Sequence, residues 1–226
     1  MKTLYSILML ISTLALALSA CGSDNDKNDE VVLTPMERAA KADEYFKSAE
    51  DQRIQGLMLG AITAYASAIE LNPQNSDAYF GRGRAYQSIN SYRNSIKNFD
   101  QAIKLDTLNS DAFYSRGRSY QELENHASAI IDFNEAINLN PENANAYYSR
   151  ARSYEETGDL KEALQDFSQA IIVNPELAYA YGSRAVIYTH IGMDNEAELD
   201  VEKAIQLGAE PTFLKTAISE IKRKRK

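Results

Sequence analysis

The chain has one cysteine, no tryptophan and two histidines among its 226 residues. A single cysteine, Cys21, excludes an internal disulfide framework and any multi-cysteine metal site. Neither His126 nor His190 has a cysteine or second histidine nearby. No HExxH stretch, no GxSxG elbow and no GxxxxGK[ST] phosphate loop is present. Adjacent carboxylates such as Glu155 and Glu156 face different directions on a helix, unlike a working acid–base pair. These absences predict a protein without catalysis, metal or small-molecule cofactor. Excess acid, with a formal net charge of −8, also speaks against a nucleic-acid binder.

The first residues read MKTLYSILMLISTLALALSAC. Lys2 is a short basic region, Leu4 to Leu18 is almost continuously apolar, and small residues precede Cys21. This is the plan of a secretory signal over 1–20, too short and badly flanked for a stable membrane span. Its removal takes the net charge from −8 to −9. The junction Leu18-Ser19-Ala20-Cys21 resembles the lipobox of bacterial lipoproteins, in which the cysteine becomes the new N-terminus and carries acyl chains. Two or more chains hold a protein firmly on a bilayer, at roughly 0.8 kcal/mol per buried methylene. Residues 21–33 then form an acidic tether without aromatics, whose composition predicts disorder. The resemblance implies a lipid anchor in the bacterial cell envelope. Gly22 in place of aspartate points to the outer membrane, and the periplasmic and surface faces both stay open.

Beyond the tether the chain is periodic. IELNP ends at Pro73, IKLDT at Thr107, INLNP at Pro141, IIVNP at Pro175 and IQLGA at Ala209, a constant step of 34. Within residues 110–143, Ala112, Phe113, Gly117 and Tyr120 recur at helical steps. Ala127, Ile130, Ile131, Phe133, Ala136 and Ile137 make a second helical run after the polar turn at 123–126. Pro141 stops that second helix. Small residues hold one phase in the first helix (Gly83, Gly117, Ala151, Ala185), where backbones approach closely. Tyr65, Phe99, Phe133 and Phe167 hold another in the second helix, filling the space between hairpins. One hairpin cannot bury its apolar face alone, so neighbours must stack.

The order small, Tyr, Ala, Phe, Ala, Pro at Gly117, Tyr120, Ala129, Phe133, Ala136 and Pro141 resembles the tetratricopeptide repeat family, whose repeat is 34 residues long. The resemblance implies an all-α, right-handed superhelical α-solenoid. Five repeats are expected, at 42–75, 76–109, 110–143, 144–177 and 178–211. The repeat region starts near 34, with Thr34 as cap and Pro35 in the first turn of an extended first helix. Residues 212–226 are expected to form a capping helix, with Thr212 as its cap, an apolar strip of Phe213, Leu214, Ala217, Ile218 and Ile221, and a solvated basic tail.

Where the family usually carries a large apolar residue, this chain has Arg82, Arg116, Arg150 and Arg184. Sixteen residues on stand Asn98, Asp132, Asp166 and Asp200. The offset predicts Arg116–Asp132, Arg150–Asp166 and Arg184–Asp200 pairs across each hairpin. By resemblance the first helices line a concave groove. That places there an aromatic ladder (Phe80, Tyr114, Tyr148), a basic ladder (Arg84, Arg118, Arg152) and a polar ladder (Gln87, Gln121, Glu155). Aromatic rings beside arginines suit a protein interface. The expected partner is an envelope protein or peptide segment, with the bilayer engaged through the anchor. Two other readings remain: an accessory subunit presenting substrate to a peptidoglycan or secretion enzyme, and a nucleic-acid or anionic-surface binder using the arginines and the basic tail.

The leader makes a direct prediction. Mass spectrometry of the mature N-terminal peptide will find the first 20 residues removed and Cys21 acylated, and Cys21→Ser will release the protein from the membrane fraction. An unmodified Cys21 or a retained leader contradicts it.

Overall fold

A computed structural model describes residues 33–225. The signal sequence, Cys21 and the tether up to residue 32 lie outside the described residues, as does Lys226. The described chain is an all-α solenoid of tandem hairpins. Its helices are α1 (Pro35–Ile54), α2 (Met58–Leu71), α3 (Ser76–Ser88), α4 (Tyr92–Leu105), α5 (Ser110–Glu122), α6 (His126–Leu139), α7 (Ala144–Thr157), α8 (Leu160–Val173), α9 (Ala178–Ile191), α10 (Asp194–Gln206) and α11 (Pro211–Arg225). Each odd-numbered helix up to α9 pairs with the even-numbered helix after it, and each pair packs on the next.

Local chemistry repeats with the fold. Asn75, Asn109 and Asn143 cap α3, α5 and α7, each side chain accepting a backbone N–H three residues on at 2.9–3.1 Å. At the other end, Asn72, Asp106, Asn140 and Asn174 terminate the second helices. Their side chains accept the N–H two residues on, at 3.0–3.2 Å, which turns the chain into the next repeat.

The turn inside each hairpin needs one left-handed residue. Gly56, Asn90, Glu124, Gly158 and Gly192 supply it at φ of 80°, 57°, 57°, 87° and 88°. Glycine and asparagine adopt that conformation readily, whereas glutamate carries its Cβ penalty.

The core is a row of rings set against small residues. Tyr65, Phe99, Phe133 and Phe167 are fully buried, and Val201 takes their place in the last repeat. A methyl group on Gly83 would lie 2.6 Å from the Phe99 ring, and one on Gly117 would lie 2.8 Å from Phe133. The rings occupy the space that the missing side chains leave. Tyr65 differs in carrying a hydroxyl, which donates to Glu50 beside Arg53. Burial raises the Glu50 carboxyl, but hydrogen bonds from Arg53 and Tyr65 outweigh it and hold the group below its ordinary range.

The C-terminal helix departs from expectation in three ways. It begins at Pro211, and Glu210 rather than Thr212 caps it, accepting from Thr212 N at 3.0 Å and Phe213 N at 2.5 Å. Phe213 is 77% exposed and outside the apolar strip, while Leu214 and Ile218 are buried against Tyr181, Ala185 and Val201. A helix buries only the side of its 3.6-residue cycle that faces the repeat, and Phe213 lies one residue off the side that Leu214 and Ile218 share. The basic tail is only partly solvated. Arg225 donates to the Thr189 carbonyl at 2.5 Å and pairs with Asp194 at 2.7 Å, and Lys222 reaches Glu198 at 3.1 Å.

The strained turn yields a stability prediction. Glu124→Gly should raise the unfolding free energy by about 1 kcal/mol in urea titration, because the left-handed backbone loses its Cβ clash. Gly158→Ala should lower it by a similar amount. A neutral or destabilising Glu124→Gly would mean that the glutamate side chain compensates for its turn.

Candidate functional site

Two sets of arginines, two residues apart in the second, third and fourth repeats, take opposite roles. Arg116 donates through Nε and Nη2 to both Asp132 oxygens at 2.8 and 2.7 Å. Arg150 grips Asp166 at 2.6 and 2.7 Å, and Arg184 grips Asp200 at 2.7 and 2.8 Å, with the same fork. Arg82 donates to Asn98 at 2.7 Å. Each guanidinium also lies over the ring three residues before it, at 5.6–5.8 Å, on Tyr79, Phe113, Tyr147 and Tyr181.

The third side of these arginines escaped the sequence reading. The remaining nitrogen reaches back sixteen residues to the preceding repeat: Arg116 to Asp100 at 2.6 Å, Arg150 to Asn134 at 2.6 Å, Arg184 to Ser168 at 2.9 Å. Each arginine therefore ties three helices. The signal was available, since Asp100, Asn134 and Ser168 share one phase and are all polar. Burial pushes the Asp132 carboxyl above its ordinary range against the pull of Arg116. Such a pair specifies register more than it adds stability.

The second set faces outward. Tyr114, Arg118, Asn145, Tyr148, Arg152 and Tyr179, from the first helices of three successive repeats, line a cleft of about 820 Å³. Gln121, Glu122, Glu124, His126, Ser149 and Glu156 complete it. The three ladder rings are half-buried rather than free. Phe80, Tyr114 and Tyr148 tilt against Phe99, Phe133 and Phe167 at 5.5–5.9 Å, so their positions are set by the core. Tyr179 was not singled out from sequence, where Gly182 ended the ladder. It fills that gap from three residues upstream, edge-on to Tyr148 at 4.4 Å, with its hydroxyl 2.5 Å from Asn145.

The polar ladder has another task. Gln87 donates to the Ser115 carbonyl and Ser119 hydroxyl, both at 3.0 Å. Gln121 repeats this on Ser149 and Ser153, at 2.7 and 2.8 Å. Their amide donors stitch neighbouring first helices and are spent before any ligand arrives. Glu155 has no such partner, because Ile187 stands where Ser153 stood one repeat earlier. It accepts instead from Arg152 at 2.8 Å. Burial pushes its carboxyl up, partly offset by Arg152. Glu156 also pairs with Arg152 at 3.5 Å. Arg84 lies over Phe80 at 5.8 Å. His126 lies in the cleft wall, its buried Nδ1 without a hydrogen-bond partner.

Among the described residues, no group of three or more histidine, cysteine, aspartate or glutamate side chains is placed to hold a metal ion. Among them, too, no helix is long and apolar enough to cross a membrane.

A family model described as tetratricopeptide repeat matches residues 83–144, 114–180 and 148–210. A second, described as TPR repeat, matches 54–90. The comparison with curated proteins finds no match. Among solved structures, MamA is 27% identical, with 70% of this chain and 93% of that one covered at a TM-score of 0.68. YrrB, described as a TPR protein with an unusual peptide-binding site, is 25% identical, with coverage of 76% and 89% and a TM-score of 0.67. The pilF protein of Pseudomonas aeruginosa is 16% identical, with coverage of 83% and 87% and a TM-score of 0.71, a likeness of fold alone.

The clamp makes a measurable prediction. In a double-mutant cycle, alanine at Arg150 and at Asp166 should show coupling of about 1–3 kcal/mol. Arg150→Ala alone should cost about 3 kcal/mol or more, because it strands a buried carboxylate. Additive losses would show the charges to be independent.

Proposed function

The chain belongs to the tetratricopeptide repeat family, and from that premise we propose that it is a non-catalytic scaffold whose groove binds a segment of another protein. One observation carries the reading: the cleft brings Tyr114, Tyr148 and Tyr179 together with Arg118 and Arg152 on one surface. Rings fixed by the core offer apolar contact at little entropic cost, and arginine supplies planar hydrogen bonding. The peptide-binding site ascribed to YrrB supports this reading. The rim carboxylates of Glu122, Glu124 and Glu156 oppose a continuous polyanion and so disfavour nucleic acid. The leader and Cys21 add the proposal that the scaffold works while lipid-anchored in the bacterial envelope, with an envelope protein as partner.

Photocrosslinking in cells from position 148 tests the site. The expected product is an adduct with a second protein, lost in the double variant Arg118→Glu, Tyr179→Ala. Both residues are exposed, so thermal unfolding should move little. Capture that persists in this variant with unchanged yield would place the interface elsewhere.

A further inference from the structure

We propose, resting on the groove reading above, that the occupant is an acidic segment in the extended polyproline II conformation whose side-chain carboxylates bind Arg118 and Arg84 from positions about three residues apart.

The three groove arginines are not equivalent. Arg152 is neutralised within its own helix by Glu155 at 2.8 Å and Glu156 at 3.5 Å. Arg118 is exposed, lines the cleft, and has no carboxylate within ion-pair distance among the described residues. Arg84 is exposed and steadied over Phe80, and among the described residues no carboxylate lies within ion-pair distance, the charge of Glu50 reaching it only at longer range. The difference follows from sequence: where Arg152 has Glu155 three residues on, Arg84 and Arg118 have Gln87 and Gln121, whose amides are committed to the next repeat. Two guanidinium forks thus stay open in adjacent repeats, and a carboxylate is the planar acceptor that matches each fork.

The spacing sets the ligand's form. Packed helices sit about 8–10 Å apart, and a chain in the polyproline II conformation advances about 3.1 Å per residue with three residues per turn, so side chains three residues apart face the same side. Equivalent positions in successive first helices therefore lie about three residues apart along such a segment. One of the two side chains between the carboxylates meets Tyr114, and those beyond the second carboxylate meet Tyr148 and Tyr179. The glutamate rim penalises a uniformly anionic ligand, so the acidic residues must be discrete and separated by uncharged ones.

A random dodecapeptide display library selected on the full chain tests this. Enrichment of peptides with Asp or Glu at i and i+3 is expected. Arg84→Glu with Arg118→Glu should weaken those peptides about tenfold or more, the worth of one charge-assisted hydrogen bond. The same variant should select Lys or Arg at the two positions, and Arg118→Lys should keep the acidic preference. Tyr148→Ala with Tyr179→Ala serves as the independent check on the groove. Peptides that depend on the tyrosines but show no acidic bias, or ignore the arginine reversal, overturn this proposal and leave the groove reading standing. A selection yielding no tyrosine-dependent peptide overturns both.

Discussion

The arginine that ties three helices is the constraint on which the other features depend. Arg116, Arg150 and Arg184 each reach forward sixteen residues to a buried carboxylate and back sixteen to the preceding repeat. The forward bonds fix how the two helices of a hairpin slide along each other. The backward bond fixes how that hairpin sits on its neighbour. A one-residue slip of the forward bonds would strand a buried carboxylate, at a cost of several kcal/mol. Hydrophobic contacts tolerate small shifts and supply stability, whereas this geometry has a single solution. Phe99 against Gly83, and Phe133 against Gly117, then pack in a register already chosen.

That register makes the groove. The cleft rings lie in line only if successive first helices are stacked without offset. Gln87 and Gln121 perform the stacking from the groove side, and the arginine forks perform it from the other. The stitch lapses between the fourth and fifth repeats, where Glu155 and Ile187 hold the positions of Gln121 and Ser153. Other markers lapse at the same junction: Leu177 replaces the capping asparagine and is buried, and Gly182 and Val186 replace a ring and an arginine. The last repeat is bound differently, by a capping helix that places Leu214 and Ile218 against Tyr181 and Ala185. Tyr179 restores a ring to the groove at this boundary and closes the far end of the cleft.

Most of the fold was legible because its determinants recur. A period of 34 with no insertion reveals hairpins, close approaches and stacked rings before any coordinate is known. The forward arginine offset was legible for the same reason. The backward partners were harder to see because three different residue types, Asp100, Asn134 and Ser168, fill one geometric role. Gln87 and Gln121 were read as ligand contacts because polarity on the groove face does not distinguish a free amide from one bonded to the next backbone. Tyr179 was missed because it leaves the ladder's phase and enters the same space from another turn. Periodicity detects what is repeated, and the site is made partly by what is not.

The two arginines of Arg82-Gly83-Arg84 and Arg116-Gly117-Arg118 show how one residue type serves both purposes. Successive helical residues turn by about 100°, so positions two apart point to nearly opposite sides. Arg116 turns into the hairpin and meets two carboxylates, while Arg118 turns into the groove and meets none. The glycine between them is the point at which the next helix comes close enough to be clamped. Any change that moves this backbone to suit a larger side chain moves both guanidinium groups together. Structural register and cleft surface are therefore two faces of one helical turn, and the middle repeats cannot alter one without shifting the other.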